Sequence, residues 1–187
     1  MGQDPVVRTD CYRNDIHHWI DAHTNFSDSD GFNAEKFFQN AKNSQREKIA
    51  QHTSAAAAFG VSQVLRANGL VSHFHISVDA LLRDMKRNGW RTGNKIEWDK
   101  ITHLPKGIPP GTVLVWERLP AQTGVAGERH IGFYLDTEYA VSIHPQFHKP
   151  YQHHITFGVM GNDKKRKPVR KVVQILIHPS FAAKPAA

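Results

Sequence analysis

Histidine dominates the chemistry that this sequence could perform. Thirteen histidines accompany a single cysteine, Cys11, in a chain of 187 residues. One cysteine can form neither an internal disulfide nor a thiolate zinc site. There is no HExxH or C-x-x-C arrangement, and His17-His18 and His153-His154 lack further ligands at zinc spacing. No metal and no other cofactor is therefore expected. What remains is nucleophile–base chemistry. A thiol at a helix start is acidified by the helix dipole, an imidazole facing it takes the proton, and a third polar group fixes the tautomer of that imidazole. Such chemistry needs a helix start, then a strand that opens with histidine, then a polar group further on. The chain offers that order in an alanine-rich segment from Ser54, in His130, and in Ser142, His144, His153 and His154.

The helical segment reads Ala57-Ala58-Phe59-Gly60-Val61-Ser62-Gln63-Val64-Leu65 and continues to Asn68-Gly69-Leu70. Two later segments read Pro110-Gly111-Thr112-Val113-Leu114-Val115-Trp116 and His130-Ile131-Gly132-Phe133-Tyr134-Leu135. Over residues 54 to 144 these resemble the NlpC/P60 and CHAP group of papain-like cysteine amidases and peptidases. Members of that group carry C-A-x-F-V-S-x-V-L, a Pro-Gly-Asp-hydrophobic-Trp strand and H-[VI]-G-[IF]-Y-[LIV]. Register on V-S-x-V-L sets Ala57 where the family has its nucleophilic cysteine. Register on A-x-F would set Ala56 there and disturb the buried spacing. Thr112 stands in place of the usual acidic residue. Cys11 lies too far upstream to substitute for the nucleophile.

The resemblance implies an α+β, papain-like fold with N-terminal helices packed on an antiparallel sheet. It implies a peptidoglycan amidase or endopeptidase that cleaves stem-peptide amide bonds through an acyl-enzyme. Cysteine at position 57 would attack, His130 would act as base and then acid, and backbone N–H groups at the helix start would hold the oxyanion. The orienting group is His144 or His153, followed by His154 and Ser142. The run Ala55 to Ala58 reads as an engineered Cys→Ala, and a natural pseudoenzyme would carry the same residues. A lysin or an injected antibacterial toxin fits this reading, with peptidoglycan as partner and an immunity protein in the producing cell. Two other readings stay open: a naturally inactive relative that binds cell-wall or anionic polymer, and an acyltransferase or deamidase on the same fold.

The elements that must position these residues follow from pattern. Ile16, Trp19, Ile20 and His23 fall at helical spacing, and Asn33 can cap a helix containing Phe37, Phe38 and Ala41. The helix from about Ser54 to Asn68 takes Ser54 as N-cap and Gly69 as its stop. Ser77 caps another, with Val78, Leu81, Leu82 and Met85 on its apolar side and Asn88-Gly89 at its end. Strands are expected at Thr112 to Trp116, His130 to Leu135, Tyr139 to Ile143, His153 to Val159 and Val169 to Ile177. Trp90 and Trp116 read as core. Helices first and strands after argue α+β in a single domain spanning residues 1–187. Residues 1–50 form a helical extension of that domain, and residues 164–187 hold a basic loop, the last strand and a tail.

Composition sets outer bounds. With 40% apolar and 22% charged residues, the chain is ordinary for a globular domain. No run of about 18 apolar residues suggests a membrane span, and the first ten residues lack the apolar stretch of a signal peptide. Synthesis in the cytoplasm is expected, followed by action on the cell wall after export, injection or lysis. The net charge of +7 favours an anionic partner. Much of the excess lies in Lys164-Lys165-Arg166-Lys167 with Arg170 and Lys171, which reads first as a solvated loop. No aromatic residue interleaves with this run to stack bases, so nucleic acid is not expected as a partner.

Overall fold

The computed structural model describes residues 43–92, 108–119, 129–136, 138–143, 150–158 and 160–179. The expected helices before residue 43 and His144 lie outside the described residues. Among the described residues three helices come first: α1 (Asn43–Gln51), α2 (Thr53–Ala67) and α3 (Val78–Arg87). α2 is rich in alanine, the best helix former, and its V-x-x-V-L spacing gives it a continuous buried stripe. Both α2 and α3 stop by the same device. The amides of Gly69 and Leu70 bond back to Arg66 and Leu65, and those of Gly89 and Trp90 bond back to Lys86 and Met85. Gly69 and Gly89 hold φ of 72° and 87°, the left-handed conformation that glycine adopts without a Cβ penalty. Ser77 caps α3 as expected, accepting from the Ala80 amide. Ser54 does not cap α2. The N-cap is His52, whose amide still bonds Lys48 at the end of α1, so the new helix starts early and Ser54 falls in its first turn.

Six strands follow among the described residues: β1 (Arg91–Thr92), β2 (Val113–Arg118), β3 (Arg129–Asp136), β4 (Tyr139–Ile143), β5 (Pro150–His154) and β6 (Arg170–Ile177). They form one antiparallel sheet in the order β1-β6-β2-β3-β4-β5. Helices on an antiparallel sheet make the fold α+β. β5 starts and ends earlier than the expected His153-to-Val159 strand. The chain turns at Ile155 and Thr156, where the Phe157 amide bonds the His154 carbonyl and Phe157 takes φ of 57°.

Because strand side chains alternate, the sheet has two separate cores. On the helix side, Val113, Val115, Ile131, Phe133, Val141 and Ile143 pack with Ala57, Phe59, Val61 and Leu65 of α2 and with Leu81 and Met85 of α3. On the far side, Leu114, Trp116, Tyr134 and Ala140 pack with Ile155, Val172 and Ile175. Trp90 and Trp116 are both core, and their indole N–H groups donate to the carbonyls of Leu70 and Ile155. Each side chain of that size, fully buried, is worth about 1.5–3 kcal/mol of transfer free energy.

Candidate functional site

Ala57 is the fifth residue of α2 and is completely buried in the helix-side core. His130 is the second residue of β3, opposite Trp116, and its side chain lies on the far face with Trp116 and Phe157. The sheet therefore stands between them, and the expected Ala57–His130 pair is not formed. The reason is the period of two. Ile131 and Phe133 face α2, so His130, Gly132 and Tyr134 face away, and the β3 residue presented to the start of α2 is Arg129. Gly132 marks how tight the far face is. A Cβ there would lie 2.5 Å from the Val141 carbonyl oxygen and 2.8 Å from the Ser142 Cβ.

His130 instead joins a buried chain of hydrogen bonds. Its Nε2 lies 2.8 Å from Ser142 Oγ, and Ser142 Oγ lies 2.9 Å from His153 Nε2. His153 Nδ1 lies 2.8 Å from the carbonyl oxygen of His154. The carbonyl dictates the rest, because it can only accept. His153 must carry its proton on Nδ1, which leaves Nε2 as an acceptor for the Ser142 hydroxyl. Ser142 Oγ then accepts from His130 Nε2–H. His130 Nδ1 is left as a bare lone pair with no hydrogen-bond partner among the described residues. Of the expected orienting groups, the structure thus joins His153 and Ser142 to His130. His154 turns elsewhere: its Nδ1 accepts from the Thr156 amide at 3.2 Å, and its Nε2 lies 3.6 Å from Glu138.

Both chain histidines are held neutral. Burial drives His130 well below the ordinary imidazole range, and the positive charge of Arg170 adds to it. Burial also pushes His153 down to about 3, against the opposing pull of the His154 carbonyl. Burial raises the Tyr151 hydroxyl to about 12, although Arg170 and a hydrogen bond with Ser142 work the other way. Phe157 roofs the cluster. Its ring stacks on His153 at 3.7 Å and meets His130 edge-on at 5.2 Å. Arg170, grouped by sequence with the basic loop, is buried, with its guanidinium 5.5 Å from the Phe157 ring centre. Lys164, Lys165 and Lys167 are exposed.

The helix side carries an open cleft of about 490 Å³ at the start of α2. Lys48 and His52 line it from the α1–α2 junction, Ser54 from α2, Asp79 from α3 and Arg129 from β3. Arg129 is oriented by Asp79 at 2.6 Å and Glu117 at 3.7 Å. None of these residues is a thiol, and Ala57 lies deeper, completely buried. Sequence reasoning passed over Arg129, although its place one residue before His130 is the signal that would have found it.

A second histidine site was also missed. The Asp84 carboxylate accepts from His75 Nε2 at 2.7 Å, from the amides of Ser72 and His73 at 3.1 and 3.0 Å, and from Asn88 Nδ2 at 2.8 Å. Burial alone would raise its pKa. The hydrogen bonds from His75, His73 and Ser72 outweigh burial and hold the carboxyl below its ordinary value. Among the described residues, no group of three histidine, cysteine or acidic side chains could hold a metal ion, and no helix is long and apolar enough to cross a membrane. Comparison of the chain with known protein families, with curated proteins and with solved structures finds no match.

Proposed function

We propose that the chain is a non-hydrolysing, cell-wall-binding domain related to the NlpC/P60 group, which holds anionic polymer by charge. The observation that carries this reading is the separation of Ala57 from His130 by the sheet. A nucleophile must lie within hydrogen-bond reach of its base. A sulfur on the Ala57 Cβ would point into the helix-side core, while the imidazole lies on the far face. The net charge of +7 and the exposed lysines 164, 165 and 167 supply long-range attraction, and the cleft beside Lys48 and Arg129 supplies a concave surface. Retention on purified peptidoglycan sacculi, measured at low and at high salt, tests the proposal. Binding at low salt that weakens as salt rises, with no soluble cleavage product, is expected. Absence of binding at low salt, or release of cleaved stem peptides, would overturn it.

One observation favours a hydrolytic reading as the second proposal. Ser142 lies 2.8 Å from His130 Nε2, at a position where the family resemblance implies a group orienting the base. On that reading the chain is a peptidoglycan amidase or endopeptidase silenced at position 57. The Ala57→Cys variant decides between the two, since it releases amide-cleavage products from sacculi only if the second reading holds.

A further inference from the structure

We infer that the His130–Ser142–His153 chain is an acid-released latch that holds strand β5 and the turn at residues 155–158 against the sheet. The argument rests on geometry. β5 is the last strand of the described sheet and pairs only with β4. Its inward group His153 is tied to β4 through Ser142, and through Ser142 to β3 at His130. One hydroxyl thus links three strands. The direction of every proton in the chain is fixed by the His154 carbonyl, and the arrangement holds only while both imidazoles are neutral. A proton added to His153 Nε2 would face the Ser142 hydroxyl with a second donor and remove the acceptor that Ser142 uses. A proton added to His130 Nδ1 would create a buried donor with no partner among the described residues.

The charged groups around the chain make closed-state protonation costly. Arg170 of β6 bears on both histidines, Arg118 of β2 and His153 bear on His130, and His154, the next residue of β5, bears on His153. Tyr151 of β5 adds a neutral hydroxyl. The nearby carboxylate, Glu138, lies 3.6 Å from His154, and neither chain histidine forms an ion pair among the described residues. Opening returns both imidazoles to water, where each protonates near pH 6.5. The turn is also strained. Phe157 holds φ of 57°, a region that costs a bulky side chain energy, and stacking on His153 is one of the contacts that hold its ring there. The sign follows from linkage. The open state binds more protons, so the latch is fully closed above about pH 6.5 and is released as pH falls below it.

Amide hydrogen exchange resolved by peptide, corrected for the intrinsic pH dependence of exchange, tests the latch. The open fraction of 150–158 should rise by up to about tenfold per pH unit for each histidine below pH 6.5. Helix α3 should keep its protection in the same samples. His153→Gln, which retains an acceptor toward Ser142 and cannot titrate, should remove about one of the two factors of ten. If that variant does not fold, His130→Gln serves the same purpose. Unchanged protection of 150–158 between pH 7.5 and pH 5 would overturn the latch, as would loss of protection in α3 in step with it. A pH dependence left intact by either glutamine variant would overturn it as well.

Discussion

Two histidine sites in this protein, one half-buried and one fully buried, solve opposite electrostatic problems. On the helix side, His75 meets an anion. Asp84 gathers His75, Asn88 and the amides of Ser72 and His73 and clamps the α2–α3 connection onto α3. On the far face, His130 and His153 meet a hydroxyl, a carbonyl and arginine charge, with no carboxylate paired to either among the described residues. The first site is saturated with donors around a charge it needs. The second is a neutral relay with one bare lone pair. The same side chain therefore tightens one part of the fold as a partner of charge and holds another only by lacking it.

The largest expected loss breaks the anionic site. Asp84→Ala removes a buried carboxylate on which four half-buried or exposed donors converge and should cost about 3–5 kcal/mol in urea unfolding. Ser142→Ala breaks the neutral relay and takes the hydroxyl away from His130, His153 and Tyr151. It should cost about 2–3 kcal/mol in the same measurement.

The two sites also part company with pH. Each far-face histidine has a folded pKa below its unfolded value, so its contribution is present above about pH 6.5 and falls by up to about 1.4 kcal/mol per pH unit below that. Asp84 has a lowered pKa, so its contribution persists until the pH falls through the lowered value, below 3.8. Stability measured against pH should therefore decline in two limbs. His153→Gln should flatten the upper limb by about 1.4 kcal/mol per unit, and a single limb starting below pH 4 would contradict the comparison. The smallest effect belongs to neither site. Replacing Lys164, Lys165 and Lys167 together by glutamine should change stability by less than about 0.5 kcal/mol, while weakening retention on sacculi at low salt.

Much of the fold was legible because its signals are local. Gly69 and Gly89 announce where α2 and α3 stop, Ser77 announces where α3 starts, and Val113, Ile131 and Tyr139 fall in runs of strand-forming residues. The site was legible only in part. His130, Ser142 and His153 were singled out by type and order, and they do meet. Which face they share was hidden, because β3 is apolar on both sides: Ile131 and Phe133 on one, Gly132 and Tyr134 on the other. With no polar face to set the phase, alternation cannot say which set the helix covers. Asp84 was unreadable for another reason. Two of its four partners are backbone amides of a loop, and a loop's amides carry no sequence signature.

The place of β5 at the end of the described sheet has a consequence for solubility. Beneath it lies β4, Tyr139-Ala140-Val141-Ser142-Ile143, a short uncharged stretch of strong strand formers. While β5 is paired, it caps the hydrogen-bonding edge of β4 with a strand that begins at Pro150, a residue with no amide hydrogen to offer a neighbour. Once β5 lifts away, β4 becomes a bare template for another chain. Mild acid should therefore promote self-association before it promotes unfolding, and the assemblies should carry β4 at their contact.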